Sequence, residues 1–503
     1  MASMWKSVFT YVVLITGLFS LTESQEDGEE LPRIGIIGAG VGGTTTAYYL
    51  RQLFGKEAVI DIFEQDRVGG RARSINIDDF EYEAGAAVLH PLNEYMVNFT
   101  NMFGLERIDA SEGRIGFFGS DGMKVETSTW TAVTMAKLLW RYGYDVVKIQ
   151  NWVQDSLLKN FTRIYKLQNE GIAFTTVEDM LQVMDPEFVR YTHTTIMDVM
   201  KEQGFSDIFI KEMVHAIMRN NYGQSVAIPA FVGAVSMAGA QPGLWAVKGG
   251  NKQVPERLLK KSKANLINGK VTQILLQKDG EGVTYEVSYK NPDPESKDQE
   301  ENAREYDIVV IATPLPTGQT NIKFEDFTQH LPLPDLKLHE TIALFVQGYL
   351  NASYFGYENL KDMPNGIFTV DEDVFFNSVG KQRPVSFKEH LKKKDVEEEV
   401  YKVFLNRVPT EQEVRLLFSG RKDLRLINWK AYPQYSTNME LPPFVLYDRL
   451  YNVNAVEIAA SALEMSAIGG RNVALLAYNH WYGHLDKIDE VSESDAPSVK
   501  QEL

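Results

Sequence analysis

Residues 33–73 read RIGIIGAGVGGTTTAYYLRQLFGKEAVIDIFEQDRVGGRAR. An apolar run, Ile34–Ile37, leads into a glycine turn and then a helical pattern. A second apolar run, Val59–Phe63, ends at Glu64, and a second glycine pair follows. Gly38, Gly40 and Gly43 form G-x-G-x-x-G, with Glu64 placed 21 residues after Gly43. That context is what a dinucleotide fingerprint requires. Gly38 permits the tight turn, Gly40 lets backbone approach a pyrophosphate, and Gly43 lets helix pack on strand. The helix N-terminus supplies free N–H groups and a partial positive charge for the phosphates. Glu64 can accept hydrogen bonds from a ribose diol.

The residues after Glu64 choose between dinucleotides. Arg67-Val68-Gly69-Gly70-Arg71-Ala72-Arg73-Ser74 resembles the R-x-G-G-R-x-x-S/T motif of FAD-dependent amine-oxidase-like proteins. That resemblance brings Gly69, Gly70 and Arg71 to an FAD pyrophosphate, where arginine and phosphate make charge-assisted contacts. Three later segments follow in the order expected of such flavoproteins. Ala264–Leu276 resembles the short strand whose backbone meets adenine, with Val271 at the contact. Tyr306–Pro314 resembles the strand that closes the FAD domain. Leu446–Leu476 resembles the last flavin strand and helix, with Glu457 in the acidic place and the helix over Ala467–Leu476.

The chain has 503 residues, enough for a large core and two domains. Its net charge of −17 disfavours nucleic acid or an anionic membrane as a main partner. Lys6 and the apolar stretch Val8–Leu21 read as a signal peptide cleaved after residue 24, with a signal anchor as the competing reading. Glu26–Glu30 is then a solvated leader, and no transmembrane span is expected after signal removal. Asn98, Asn160 and Asn351 head N-x-S/T sequons and are candidate glycan sites. Lys500-Gln501-Glu502-Leu503 loosely resembles an ER-retention tail but lacks Asp at its second place. With no cysteine there is no disulfide, no thiol redox centre and no Cys-linked flavin. The eight histidines are scattered, so no metal site is expected.

The fold class expected is α/β: a Rossmann-type FAD-binding domain of the two-dinucleotide, amine-oxidase-like kind, with an inserted α+β substrate domain. The FAD domain is discontinuous, over 33–91, 225–323 and 442–484. Residues 92–224 and 324–441 build the substrate domain. The first insertion is helical in pattern, and its aromatics Trp130, Trp140, Tyr142, Tyr144 and Trp152 read mostly as core. Met180–Val199 reads as helix interrupted at Asp185-Pro186, and Gly282–Lys290 as a half-exposed strand. Asn291–Arg304 reads as a flexible loop and Gln382–Glu399 as a solvated charged face. Thr410 with Glu413 is a capping box opening a helix over Glu411–Phe418.

There is no second G-x-G-x-x-G after a strand, hence no evident nicotinamide domain. With no thiol relay either, electrons pass most simply to O2. The whole chain resembles the prenylcysteine oxidase family. The residues that carry this are Gly38–Lys56, Glu81–Asn93, Trp140–Val153, Asn221–Ser236, Gly243–Val254 and Ala459–Ile468. A paralogous "-like" group shares most of them. The resemblance implies a thioether oxidase with noncovalent FAD. Its substrates are farnesyl- and geranylgeranyl-cysteine from degraded prenylated proteins. Its products are cysteine, a prenyl aldehyde and H2O2. It also implies a lysosomal or secreted location and lipoprotein association. Two other functions stay open: a flavin amine oxidase, and an FAD-binding lipid-associated protein without turnover.

Hydride release from the allylic carbon beside sulfur needs positioning and a dry apolar slot more than a strong base. Glu83-Ala84-Gly85-Ala86 is expected near the isoalloxazine, with Gly85 allowing close approach. His90 is a candidate proton carrier, or a turn histidine before Pro91. Lys248 could meet the substrate carboxylate, or be a surface lysine. Tyr222 and Trp245 are candidate cavity walls, or ordinary core.

Overall fold

The computed structural model describes residues 31–110, 113–279, 282–293, 295–296, 300–317, 322–386 and 399–490. The expected signal peptide, the acidic leader and the C-terminal tail lie outside the described residues, as does most of Gln382–Glu399. Residues from Pro32 on form one compact unit.

Its centre is a six-stranded sheet in the order Val445–Tyr447, Leu450–Asn452, Ile308–Ile311, Arg33–Ile37, Val59–Glu64, Asn265–Asn268. All neighbours but the first pair run parallel. Ile34, Ile36, Ile60, Ile62 and Ile308–Ile311 are all buried, the unbroken apolar runs of a sheet covered on both faces. Helices Val41–Phe54 and Leu463–Tyr482 pack together on one side. The Thr46 hydroxyl donates to the Gly470 carbonyl at 3.1 Å, so small residues bring these two helices into backbone contact. On the other side lies a four-stranded sheet, in the order Asn302–Tyr306, Gly282–Lys290, Lys270–Asp279, Lys323–Glu325. Ile274, Tyr285, Val287 and Tyr306 from this sheet share a core cluster with Ile37, Phe63, Val309 and Ile311.

A seven-stranded sheet stands apart from these layers. Its order is Phe418–Pro433, Leu338–Leu350, Glu399–Leu405, Ser378–Lys381, Gly366–Thr369, Ile115–Gly119, Gly122–Glu126. Every strand of it comes from residues 92–224 or 324–441. The first insertion is therefore not purely helical, since it supplies two of these strands.

Several local readings sharpen. Asp185 caps the helix Pro186–Thr192 by accepting from the Glu187 amide, which divides it from Val177–Met184. The Thr410–Glu413 capping box forms, and its helix stops at Leu417. Ala264–Leu276 is two strands split at Gly269, and Asn302 already belongs to a strand rather than a loop. The terminal helix is twice the expected length, Leu463–Tyr482, because Gly469 and Gly470 serve packing and do not break it. Tyr142 and Trp152 are buried, but Trp130, Trp140 and Tyr144 are exposed, which corrects their reading as core.

Candidate functional site: a dinucleotide cleft roofed by a second sheet

Four parallel strands end at one edge of the central sheet, at Ile37, Glu64, Ile311 and Asn452. The residues that follow them, Gly38, Gln65, Ala312 and Val453, all line one cleft of about 370 Å³. Ligands of open parallel sheets bind at this carboxyl edge.

The fingerprint glycines have separate structural reasons. A β-carbon at Gly43 would sit 2.0 Å from the Gly38 carbonyl oxygen, so only glycine lets the helix start this close to the strand. At Gly40 a β-carbon would meet nothing within 4 Å. That position faces the open cleft, where a pyrophosphate would lie against bare backbone. The second pair is brought onto the first: the Gly69 amide donates to the Ala39 carbonyl at 2.8 Å, and Gly70 lines the same cleft. Gly85 differs from its expectation. A β-carbon there would be 1.8 Å from the Arg71 carbonyl oxygen, so the glycine is demanded by the chain crossing behind it. It still lines the cleft with Ala84 and Ala86.

Glu64 accepts from the Ala39 amide at 2.9 Å and, through its other oxygen, from the Asp66 amide at 2.9 Å. Both bonds hold the carboxylate at the rim. A smaller adjoining hollow shares Gly38, Glu64, Gln65, Thr313 and Pro314 with the cleft and is lined by Val271. Arg71 pairs with the buried Glu457 and donates to the Ala431 carbonyl at 2.6 Å. Glu457 sits in a short helical turn, Val453–Ile458, and not at a strand end. Two helix N-termini open on the cleft, through Val41 and Gly42 and through Leu463 and Ser466. Each presents unpaired N–H groups and a positive dipole end. The residues present thus fit a dinucleotide stretched from Glu64 past Gly40 toward Ala84–Ala86.

The far end of the cleft is walled by the seven-stranded sheet, through Thr341, Phe404, Trp429, Ala431 and Tyr432. Behind this wall lies a pair missed in the sequence. Lys402 is 6% exposed, its ammonium 4.9 Å from the Phe404 ring centroid and donating to the Glu83 carbonyl at 3.2 Å. Burial pushes this lysine down to about 8, against the attraction of Glu83. Burial likewise pushes the Glu83 carboxyl up to about 7, opposed by the Asn251 amide bonded to it at 2.6 Å. Glu83 Oε2 is buried with no hydrogen-bond partner among the described residues. The available signal was a lone lysine inside the apolar run EVYKVFL, Glu399–Leu405. Asn251 also donates to the Ala86 carbonyl at 2.9 Å, so it pins the cleft floor from below.

Other candidates sit elsewhere. Lys248 bonds Glu106 at 2.8 Å on the surface and does not line the cleft. His90 accepts from the Leu92 amide at 3.2 Å through Nδ1, the geometry of a turn histidine, and burial lowers its pKa. Trp245 donates to the His90 carbonyl at 3.2 Å, in a small two-stranded sheet with Arg107–Asp109, also off the cleft. Tyr222 lies one layer behind the wall. Its hydroxyl donates to the Ser461 carbonyl at 3.0 Å and its ring meets Tyr432 edge-on at 5.0 Å. No group of three or more His, Asp or Glu among the described residues could hold a metal ion. None of the described helices is long and apolar enough to cross a membrane.

A family signature described as prenylcysteine lyase matches residues 125–490, and one described as an NAD(P)-binding Rossmann-like domain matches 36–103. The chain is 40% identical to human (Homo sapiens) prenylcysteine oxidase 1 over 467 residues, covering 91% of each protein. It is 38% identical to the Bos taurus protein of the same name over 468 residues, covering 91% of this chain and 90% of the relative. With human prenylcysteine oxidase 1-like it shares 37% identity over 486 residues, 95% of this chain and 97% of the relative. Among solved structures, putrescine oxidase bound to putrescine aligns with a TM-score of 0.54 at 13% identity, covering 88% of this chain and 98% of that one. A putative protoporphyrinogen oxidase from Exiguobacterium sp. 255-15 aligns with a TM-score of 0.55 at 13% identity, covering 90% and 99%.

Proposed function

The chain belongs to the prenylcysteine oxidase family, also described as prenylcysteine lyase, and from that premise we propose that it is an FAD-dependent thioether oxidase. It cleaves farnesyl- or geranylgeranyl-cysteine with O2 and water to cysteine, the prenyl aldehyde and H2O2. The observation that carries this reading is the junction of the dinucleotide cleft with an aromatic wall from a separate sheet. FAD is favoured over NAD because Gly69 and Gly70 lie on the first glycine loop. The cofactor is held noncovalently, in a chain without cysteine.

Bound FAD supplies a two-electron acceptor that takes hydride from the carbon beside sulfur and passes the electrons to O2. This chain's residues do the rest. Glu64, held at the rim by the Ala39 and Asp66 amides, would accept from ribose hydroxyls with its remaining lone pairs. The two helix N-termini and the turn of Gly38–Gly40 would hold the anionic and polar parts of the cofactor. Phe404, Trp429 and Tyr432 exclude water and hold the apolar substrate against the reacting face. Lys402 keeps a positive charge just behind that wall. Arg71 and Glu457, paired and tied to Ala431, hold the cleft lining that would receive the cofactor.

The signal-peptide reading of Lys6 and Val8–Leu21 supports entry to the secretory pathway, with the lysosome as destination, secretion as a second fate and lipoprotein association in the secreted form. Asn98 is the exposed sequon and the site for a glycan. Asn160 and Asn351 are half-buried sequons whose amides already donate to Asp185 and to the Leu416 carbonyl, so a glycan there would share its nitrogen with that bond.

Anaerobic mixing with farnesylcysteine tests the reading. Bleaching of the flavin, aldehyde formation and no bleaching by simple amines are expected. Bleaching by amines alone would make the chain an amine oxidase. Bleaching by neither would make the chain an FAD-binding protein without turnover.

A further inference from the structure

The helix Thr131–Tyr142 is exposed along almost its whole length, and Tyr142 is its one buried residue. Its outward side is apolar. Trp140 is 88% exposed, Trp130 73% and Tyr144 68%, with Val133 and Leu139 also exposed. At 100° per residue, Val133, Ala136, Leu139 and Trp140 fall on one half of the helix surface, and Trp130 and Tyr144 flank it, one as its extended N-cap and the other just past the break at Gly143. Soluble proteins rarely leave so many large apolar side chains together in water. From this face we infer that the helix Thr131–Tyr142, with Trp130 and Tyr144 at its two ends, docks the protein onto a neutral or zwitterionic lipid surface.

Two observations select lipid over a second protein. The first is area. Twelve residues make a ridge of about 18 Å by ~10 Å. Even doubled for its relief, that is well below the ~800 Å² per partner of a stable protein interface. A lipid surface, by contrast, asks only for a ridge that sinks to the depth of its headgroups. The second is charge. Thr127–Tyr144 holds no carboxylate, although the chain carries 68 acidic residues in 503. Lys137 is the one charged group on the outward half, and its stem runs back so that Nζ donates to the Glu126 carbonyl at 3.2 Å. Arg141 is neutralised by a two-point bond to Glu212, at 2.6 Å for each contact. The following Asp145 is turned to the Ser206 amide and hydroxyl, at 2.9 and 2.6 Å. A face cleared of negative charge, on a chain of net charge −17, suits headgroups without net charge. Trp and Tyr add the side chains that favour the membrane–water boundary, where the ring is buried and its N–H or O–H stays wet.

The full chain, expressed through a eukaryotic secretory host, is mixed with phosphatidylcholine vesicles. The expected result is co-flotation with a blue shift of tryptophan emission and quenching by brominated phosphatidylcholine. The triple variant W130S/W140S/Y144S should lose at least about tenfold in partitioning, together with the blue shift and the quenching. Its thermal unfolding should match wild type, because all three side chains stand in solvent. Quenching of the wild-type protein needs no variant and reads the helix even if another segment also touches lipid. Absence of quenching in wild type overturns the inference. So does a dimer that the triple variant converts to monomer without vesicle binding. Binding that requires anionic lipid and vanishes with salt overturns it as well. Each readout is independent of FAD and of turnover.

Discussion

Replacing Lys402 with Met separates the electrostatic role of this side chain from its packing role. Methionine keeps most of the volume and removes the charge. The lysine is held down from 10.5 to about 8 by burial, an unfavourable cost to the ammonium of about 3 kcal/mol. Below pH 8 the folded protein bears that cost in full. It fades as pH rises toward 10.5, where the unfolded chain also loses its proton. At pH 6 Glu83, raised to about 7, is largely neutral and does not miss its partner. K402M should therefore unfold at higher denaturant concentration at pH 6, by up to about 3 kcal/mol, with the gain shrinking by pH 10. Reduction should move the other way. The ammonium is 4.9 Å from the Phe404 centroid, and a group stacked on that ring lies ~3.5 Å further. A unit charge at ~8 Å and an effective dielectric of ~20 is worth about 2 kcal/mol, or about 30-fold in rate. Anaerobic stopped-flow reduction by farnesylcysteine reads this directly. In wild type the pair passes from net +1 below pH 7 to net −1 above pH 8, so reduction should slow across that window. K402M should keep only the Glu83 step. A purely structural lysine would cost stability on removal. A less stable K402M, or one reducing within about threefold of wild type, refutes the electrostatic role.

The glycines give a paired test. Gly40→Ala should leave the Tm of the cofactor-free protein unchanged, since its methyl enters open cleft, while weakening FAD binding measured by fluorescence titration. Gly43→Ala should lower both, because its methyl meets the Gly38 carbonyl at 2.0 Å. Arg71→Ala strips the partner from the buried Glu457, and denaturant unfolding should show a loss of about 3–5 kcal/mol at neutral pH. His90→Ala and Lys248→Ala should leave kcat/KM for H2O2 production within about twofold, because neither residue lines the cleft. A tenfold fall in either would return that residue to the site.

The cofactor end was legible because its demands are local. A turn that must pass Gly38 under a helix needs glycine at fixed offsets, and those offsets survive in one dimension. Glu64 is legible for the same reason, standing at the end of the strand next to the fingerprint. Arg71 and Glu457 were each singled out, but their pairing spans 386 positions and appears only when the last strand joins the sheet. Lys402 was hidden by register. Its neighbour across the ladder is Phe345, which together with Phe404 turns an ordinary charged strand residue into a buried one. Gly85 lines the cleft, but the constraint on it comes from the Arg71 backbone, a contact that spacing along the chain does not show. Lys248 and His90 drew attention as titratable residues beside glycine and proline, and short-range spacing could not show that each already has a local partner.

On the proposed function, substrate specificity belongs to the wall of the cleft. Proteins of 13% identity that are named for putrescine and protoporphyrinogen share this fold over nearly their whole length. In this chain the sheet edge and its glycine turn line the dinucleotide cleft. What can differ is the wall that meets the reacting end. Here that wall is drawn from three neighbouring strands of the seven-stranded sheet, through Thr341, Phe404, Trp429 and Tyr432. Each is set by inward-facing positions, where period-two alternation lets one face change while the other keeps its packing. Changing the substrate then needs only substitutions on one face, with the helices and the glycine loops left alone. Exchanging Phe404 and Trp429 for smaller residues should accordingly shift the preferred chain length of the isoprenoid while leaving FAD affinity unchanged. A loss of FAD with no change in preference would place those two rings in the cofactor's cradle and move the specificity wall elsewhere.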